Sequence, residues 1–203
     1  MIEERHNSLK ESGGSQERSD QQKYSPGSFF WEIIKFAIIA FIVVVPIRIF
    51  IASPFIVSGN SMDPSFATGD YLVVDEISYR LEEPARGDVV VFKYPKDPSK
   101  FFIKRVIGLP GETVEIRDGT IFITNKTSPG GFNLEEPYIK FPKADSMLVV
   151  LSDTEYFVMG DNREASSDSR IWGPLNERFI TGRVLLRLFP LPGLALFPEK
   201  AVY

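Results

Sequence analysis

The run Ser58-Gly59-Asn60-Ser61-Met62-Asp63-Pro64-Ser65-Phe66 sets a hydroxyl on a stretch built to turn. Gly59 permits a positive φ, Asn60 tolerates one and Pro64 fixes φ, so the backbone turns sharply and presents Ser61. A hydroxyl held on such a turn is a candidate nucleophile for acyl transfer; the competing reading is an ordinary Ser/Gly/Pro loop. The base that would activate it comes from a short list. The 203 residues include no cysteine and one histidine, His6, in a polar tail. A Ser-His-Asp triad needs an imidazole beside the serine, and zinc hydrolase sites usually need two or three histidines. A base for Ser61 is then a carboxylate, a lysine or the chain's own amine, and elimination favours lysine. No metal or cofactor is expected.

Lys104 stands out among the lysines. In Phe101-Phe102-Ile103-Lys104-Arg105-Val106-Ile107 a strand's period of two puts Phe102, Lys104 and Val106 on one face and Arg105 on the other. An ammonium flanked by apolar side chains is desolvated, which disfavours its charge and lowers its pKa. Size matters here. At a free pKa near ~10.4, fewer than about one lysine in a thousand is neutral at pH 7, and a fall of ~2 units corresponds to about 3 kcal/mol. The alternative is an edge-protecting lysine with its head in water.

A third polar constellation runs Gly160-Asp161-Asn162-Arg163-Glu164-Ala165-Ser166-Ser167-Asp168-Ser169-Arg170. Asp168 and Arg170 are spaced to pair and fix a loop, and its serine hydroxyls are suited to orient an amine. A solvated surface loop is the plainer reading, and the acidic spacing does not fit an EF-hand calcium loop.

These residues must be positioned by elements around them. With 43% hydrophobic residues the chain is sized for one globular domain plus an anchor, and a net charge of −4 offers no footprint for nucleic acid. Residues 1–28 are polar and are expected to be disordered. Their length before any apolar run argues against a cleaved secretory signal. The apolar run 29–51 would span about 34 Å as a helix, enough for a bilayer core. Lys35 and Arg48 are placed to snorkel, Trp31 suits a headgroup belt, and Pro46 is tolerated near the far end. We assign 29–57 as a single transmembrane anchor, with the tail cytoplasmic and the long C-terminal domain on the trans side.

After the serine loop, strands are expected at 71–74, 89–92, 101–107, 113–116, 120–124, 147–151, 156–159 and 181–189, with Asp118-Gly119 as a hairpin turn. Strands without intervening helical patterns predict a mainly β, antiparallel domain over 58–203, a sandwich or partly open barrel. The Gly/Pro-rich region 126–153 reads as an insertion or small subdomain.

Taken together, Ser61-Met62-x-Pro64, Gly69-Asp70, Arg86-Gly87-Asp88-Val89, Lys104-Arg105-Val106-Ile107-Gly108-Leu109-Pro110-Gly111 and Gly160-Asp161-Asn162-Arg163…Ser166…Asp168-Ser169-Arg170-x-x-Gly173 resemble the successive signature boxes of type I signal peptidases, in the same order and after a single anchor. The resemblance covers most of 36–124 and 155–189. It implies a membrane-anchored serine endopeptidase that removes signal peptides from exported preproteins after small residues, of the Ala-x-Ala type. Ser61 is the implied nucleophile and Lys104 the implied general base. Ser166 is the implied hydrogen-bonding partner of the lysine, Asp168 and Arg170 the supporting ion pair, and Asp161 and Asn162 further supports. The Ser61 N–H would supply part of the oxyanion hole. Some members carry a serine two residues before the nucleophile, where this chain has Gly59; Phe102 stands where some relatives have tyrosine. Gly59, Met62 and Phe102 are the implied substrate contacts, and a monomer is expected.

The implied mechanism passes through an acyl-enzyme that water, activated by the same lysine, releases. The extended substrate is expected to pair with a strand edge. Residues 185–197, apolar with Pro190 and Pro192, are a candidate for resting on lipid or for closing the sheet. The rival readings are another Ser/Lys self-processing peptidase and a catalytically silent, membrane-tethered peptide-binding β module.

Overall fold

The computed structural model describes residues 26–50, 52–198 and 201; the side chains of 26–28, 45–50 and 52 are left aside. Most of the polar tail, with His6, and the side chains of Pro46 and Arg48 thus lie outside the described residues. Helix α1 spans Pro26–Phe50. It opens three residues before the anchor was expected to begin, because proline suits a first helical turn whose N–H groups have no partner. Among the described residues, no helix is long and apolar enough to cross a membrane. The chain divides into two compact units, with the boundary inside α1 between Ile42 and Val43.

The second unit is built of antiparallel strands: β1 (Ala52–Ile56), β2 (Tyr71–Asp75), β3 (Val89–Tyr94), β4 (Asp97–Gly108), β5 (Thr113–Arg117), β6 (Thr120–Thr124), β7 (Phe132–Asn133), β8 (Met147–Val150), β9 (Glu155–Met159), β10 (Leu175–Asn176), β11 (Ile180–Phe189) and β12 (Ala195–Leu196). The larger sheet is ordered β1-β2-β11-β3-β4-β9-β10, with β12 on β11; the smaller is ordered β7-β6-β5-β8. A four-residue helix, α2 (Ser169–Trp172), follows β9.

Residues 52–57, assigned to the anchor from sequence, instead form β1 and its continuation. Their apolar character serves a sheet. Phe55 packs on a core of Val57, Met62, Phe66, Leu72, Val74, Val89, Val91 and Val184, and its ring lies 5.2 Å from that of Phe101. Pro54 is tolerated because β1 is an edge. Region 126–153 contributes β7 and β8, so it completes the smaller sheet. That sheet packs through Val114, Ile116, Ile121 and Ile123 on Ile107, Phe157 and Met159 of the larger one. Between β5 and β6, Asp118 (φ 48) and Gly119 (φ 83) both adopt the left-handed region that a two-residue hairpin turn requires.

Register decides where the chemistry falls. In the β3–β4 ladder Val90 faces Lys104 and Val89 faces Arg105, and Arg105 then faces Met159 of β9. Strand β4 therefore has partners on both sides at Arg105, while Lys104, one residue earlier, pairs with β3 just where the β9 ladder begins. Gly108 ends β4 against the smaller sheet, where an added Cβ would fall well inside contact distance of Val114 and Leu151. Gly108→Ala is expected to destabilise the domain by about 1–3 kcal/mol through overpacking. Urea denaturation with an unchanged m-value would register it.

Candidate active site

The hydroxyl of Ser61 is carried on the loop joining β1 to β2, and that loop is tied down at several points. Its base continues the ladder through Val57 N–H to Asp70 O at 2.9 Å and Gly69 N–H to Val57 O at 2.9 Å. Higher up, the Thr68 hydroxyl accepts from Gly59 N–H at 3.0 Å and donates to Gly59 O at 3.0 Å. Gly59 has φ 100, the conformation its lack of a side chain permits. Met62 and Phe66 sink into the core below, and Phe66 N–H closes a turn onto Met62 O at 2.9 Å. From β11, Arg187 donates to Ser65 O at 3.1 Å and reaches Asp70 Oδ2 at 3.3 Å. Its guanidinium lies 5.0 Å from the centre of the Phe66 ring. The nucleophile candidate is held on a buried footing.

Lys104 comes to it from β4, forty-three positions away in sequence. Its Nζ lies 2.7 Å from Ser61 Oγ and donates to Ile103 O at 2.8 Å. The residue is only 3% exposed, and the Phe102 ring centre is 5.4 Å from the amine. Burial pulls its pKa down from 10.5 to about 8, against the charges of Asp168 and Asp161, which pull it up. Removing water costs the ammonium more than these two carboxylates return, because each carboxylate is already engaged. Asp168 receives Arg170 Nη2 at 2.7 Å and Gly160 N–H at 3.0 Å. Burial pushes its carboxyl up, yet those contacts hold it below the usual range. Asp161 takes a bidentate pair from Arg105, at 2.9 and 2.6 Å, with both side chains fully buried.

Loop 160–170 also grips the serine directly. Asn162 N–H donates to Ser61 O at 3.1 Å. Asn162 Oδ1 accepts from Ala165 N–H at 3.1 Å and shapes the loop's own turn. Gly160 lies against the Ser61 carbonyl and the Ser166 side chain so closely that a Cβ there would overlap both. The hydrogen bond from Ser166 to the amine, implied by the resemblance, is not made. The Ser166 hydroxyl is buried and faces the Asp168 carboxylate, which it helps to hold in its charged form, and the amine is directed to Ser61 and Ile103 instead.

Ser61 and Lys104 line an open cleft of roughly 480 Å³ whose walls include Phe55, Leu72, Phe101 and Phe102. Gly59 and Phe102 also line it. Met62 does not. It is 1% exposed and belongs to the core under the loop, since a turn of small polar residues needs an apolar anchor to hold one position. Sequence reasoning singled out no role for Arg105, Arg163, Glu136, Tyr138 or Asp145, all of which hold loop 160–170 or its partners. Arg105 alone carried a signal, a cation set between Ile103 and Ile107 on a buried strand.

An antiparallel β fold with a cleft-lining serine against a buried lysine suits the class of enzymes that transfer acyl groups through a serine. The comparisons narrow that class. Residues 30–189 match the family described as signal peptidase, peptidase S26, and the chain belongs to that family. It is 36% identical to the probable signal peptidase I-2 of Synechocystis sp., over 90% of this chain and 84% of that protein. It is 38% identical to the probable signal peptidase I-1 of the same organism, over 82% and 86%. To signal peptidase IB of Staphylococcus aureus it is 33% identical, over 75% and 85%. A crystal structure of a signal peptidase I from Enterococcus faecalis V583 superposes with a TM-score of 0.44 at 30% identity, covering 51% of this chain and 97% of that one.

Because Gly160 touches the serine's own carbonyl, Gly160→Ala is expected to displace Ser61 and lower kcat/KM by on the order of 10²-fold in a folded protein. Circular dichroism alongside the peptidase assay separates that outcome from unfolding.

Proposed function

We propose that this chain is a membrane-anchored serine endopeptidase that cleaves signal peptides from exported preproteins after small residues, using Ser61 as nucleophile and Lys104 as general base. The observation that carries the reading is the 2.7 Å approach of a buried amine to a cleft-lining hydroxyl. At a pKa of about 8, about one lysine in ten is neutral at pH 7, against fewer than one in a thousand for a free lysine. In its neutral form the amine accepts the Ser61 proton as Oγ attacks the carbonyl carbon of the leader's last residue. The tetrahedral oxyanion takes the Ser61 N–H as a donor. As that intermediate collapses, the protonated lysine returns its proton to the leaving amine. Water, deprotonated by the same amine, then hydrolyses the acyl-enzyme. Asp168 with Arg170 and Asp161 with Arg105 hold the surroundings of the lysine, and Asn162 and Gly160 set the serine's backbone. Ser166 closes the space behind it.

The apolar cleft suits small side chains of an extended peptide, with β1 at the sheet edge offering backbone groups for pairing. Helix α1, twenty-five residues long, would reach about 37 Å at 1.5 Å per residue. Its described side chains include Phe29, Trp31, Phe36, Ile39 and Phe41, all exposed. No helix among the described residues is long and apolar enough to cross a membrane, and the support for a single-pass anchor is these exposed apolar side chains together with the apolar run 29–51. In this reading the tail is cytoplasmic and a monomeric domain lies on the trans side.

Ser61→Ala and Lys104→Ala are each expected to lower kcat on an Ala-x-Ala preprotein by on the order of 10⁴–10⁶-fold with the fold retained. Full activity in Ser61→Ala would overturn the assignment. The pH dependence follows from the active form being the neutral amine. Activity rises with pH through an apparent pKa of about 8 and then levels, the opposite sign to an enzyme that needs a protonated acid. A kcat/KM profile flat between pH 6 and 9 would rule out this base.

A further inference from the structure

Region 126–153 carries none of the signature boxes quoted above, yet its central stretch, 134–145, reaches loop 160–170 at several points. The stretch is fastened to the smaller sheet at both ends. Leu134 is buried in the core there and its N–H donates to Ile121 O at 2.8 Å. Asp145 O accepts from Gly119 N–H at 3.0 Å. Between these ends it makes no regular ladder, only one bridge, Phe141 beside Asn162.

The contacts from the middle of the stretch run to the serine loop's support. Phe141 O accepts from Arg163 N–H at 3.1 Å. The Glu136 carboxylate pairs with the Arg163 guanidinium, with both side chains under a tenth exposed, and accepts from the Tyr138 hydroxyl at 2.8 Å. The Tyr138 ring lies 4.1 Å from the guanidinium of Arg105, the partner of Asp161. Asp145 receives Arg170 Nη1 at 2.6 Å. Arg163 in turn donates to Gly160 O at 3.1 Å. The next link is the Asn162 N–H on the Ser61 carbonyl. The path from Glu136 to Ser61 thus runs through directed hydrogen bonds to Arg163 and Gly160, the backbone from Gly160 to Asn162, and the Asn162 hydrogen bond to Ser61.

We propose that the strap 134–145 is a positioning element of the peptidase centre, with Glu136 as the residue that holds loop 160–163, and through it the Ser61 backbone, in register with Lys104. The inference rests on the reading of Ser61 as nucleophile. None of the strap residues touches the reacting atoms. Their effect is geometric, and displacements of about 1 Å at a reacting centre cost on the order of a hundredfold in rate.

The experiment compares the full chain with Glu136→Ala, Glu136→Gln, Lys140→Ala and Ser61→Ala on a fluorogenic peptide with an Ala-x-Ala junction, with kcat, KM and Tm measured for each. Glu136→Ala is expected to lower kcat by about tenfold or more with KM within about twofold. Glu136→Gln, which keeps an acceptor oxygen toward Arg163, is expected to recover most of the loss. Lys140→Ala, exposed on the strap, is expected to match the parent. A kcat for Glu136→Ala that falls only in proportion to its folded fraction, or no recovery in Glu136→Gln, would overturn the strap's role. If Glu136→Ala does not fold, Tyr138→Phe decides: a severalfold lower kcat supports the inference and an unchanged kcat overturns it. Activity in Ser61→Ala would defeat the underlying reading, whereas an inactive Ser61→Ala beside a fully active, folded Glu136→Ala defeats only the strap.

Discussion

A lysine amine denied water, beside a hydroxyl, is the constraint on which this molecule turns. Left in solvent, Lys104 would hold its proton through the whole physiological range and be of no use as a base. Burial within β4 moves its pKa to about 8, a change of about 3 kcal/mol between its two protonation states. That shift survives only if the nearby carboxylates are spoken for. Two unpaired aspartates at this distance would hold the proton on the amine. The structure meets the requirement by giving each aspartate its own arginine, Arg170 for Asp168 and Arg105 for Asp161. A buried pair of this kind adds little net stability, but losing one partner costs about 3–5 kcal/mol. The pairs therefore guard the field around the amine more than they hold up the fold.

The rest of the architecture follows from bringing two distant groups together and keeping them there. A strand paired with β3 at Lys104 and with β9 from Arg105 onward fixes where the amine sits, and a loop anchored by Met62 and Phe66 fixes the hydroxyl. Loop 160–170 joins the two, and its own shape is set by arginines. Arg163 reaches Glu136 and Gly160, and Arg170 reaches Asp168 and Asp145. The guanidinium is suited to this because it is always charged and donates in a planar fork.

The strands were largely legible because their cause is local. Alternation in Thr113 to Arg117 and Thr120 to Thr124, with Asp118-Gly119 between, needs no tertiary knowledge. Strand β1 was not legible: its apolar residues continue those of α1, and only pairing with β2 separates them. Ser61 and Lys104 were each readable as candidates, one from turn chemistry and one from its apolar neighbours. Their proximity came from the resemblance and not from any spacing in the chain. Met62 was misplaced for a related reason, since a residue beside a candidate nucleophile looks like a substrate contact until the loop's need for an anchor is seen. The hydrogen bond expected of Ser166 was likewise inherited, and here the amine turns to the Ile103 carbonyl. Glu136, Tyr138 and Asp145 gave no signal at all. Their partners outside the stretch lie about twenty-five positions or more along the chain, and a Gly/Pro-rich stretch without periodicity looks the same whether it floats or is clamped.

The most direct test is the titration of Lys104 itself, followed through its side-chain ¹³Cε resonance in the full chain, with Lys104→Arg used to assign the signal. A midpoint near 8, well separated from the other lysines, is the expected result. A midpoint near 10.5, moving with the exposed lysines, would contradict the account at its root.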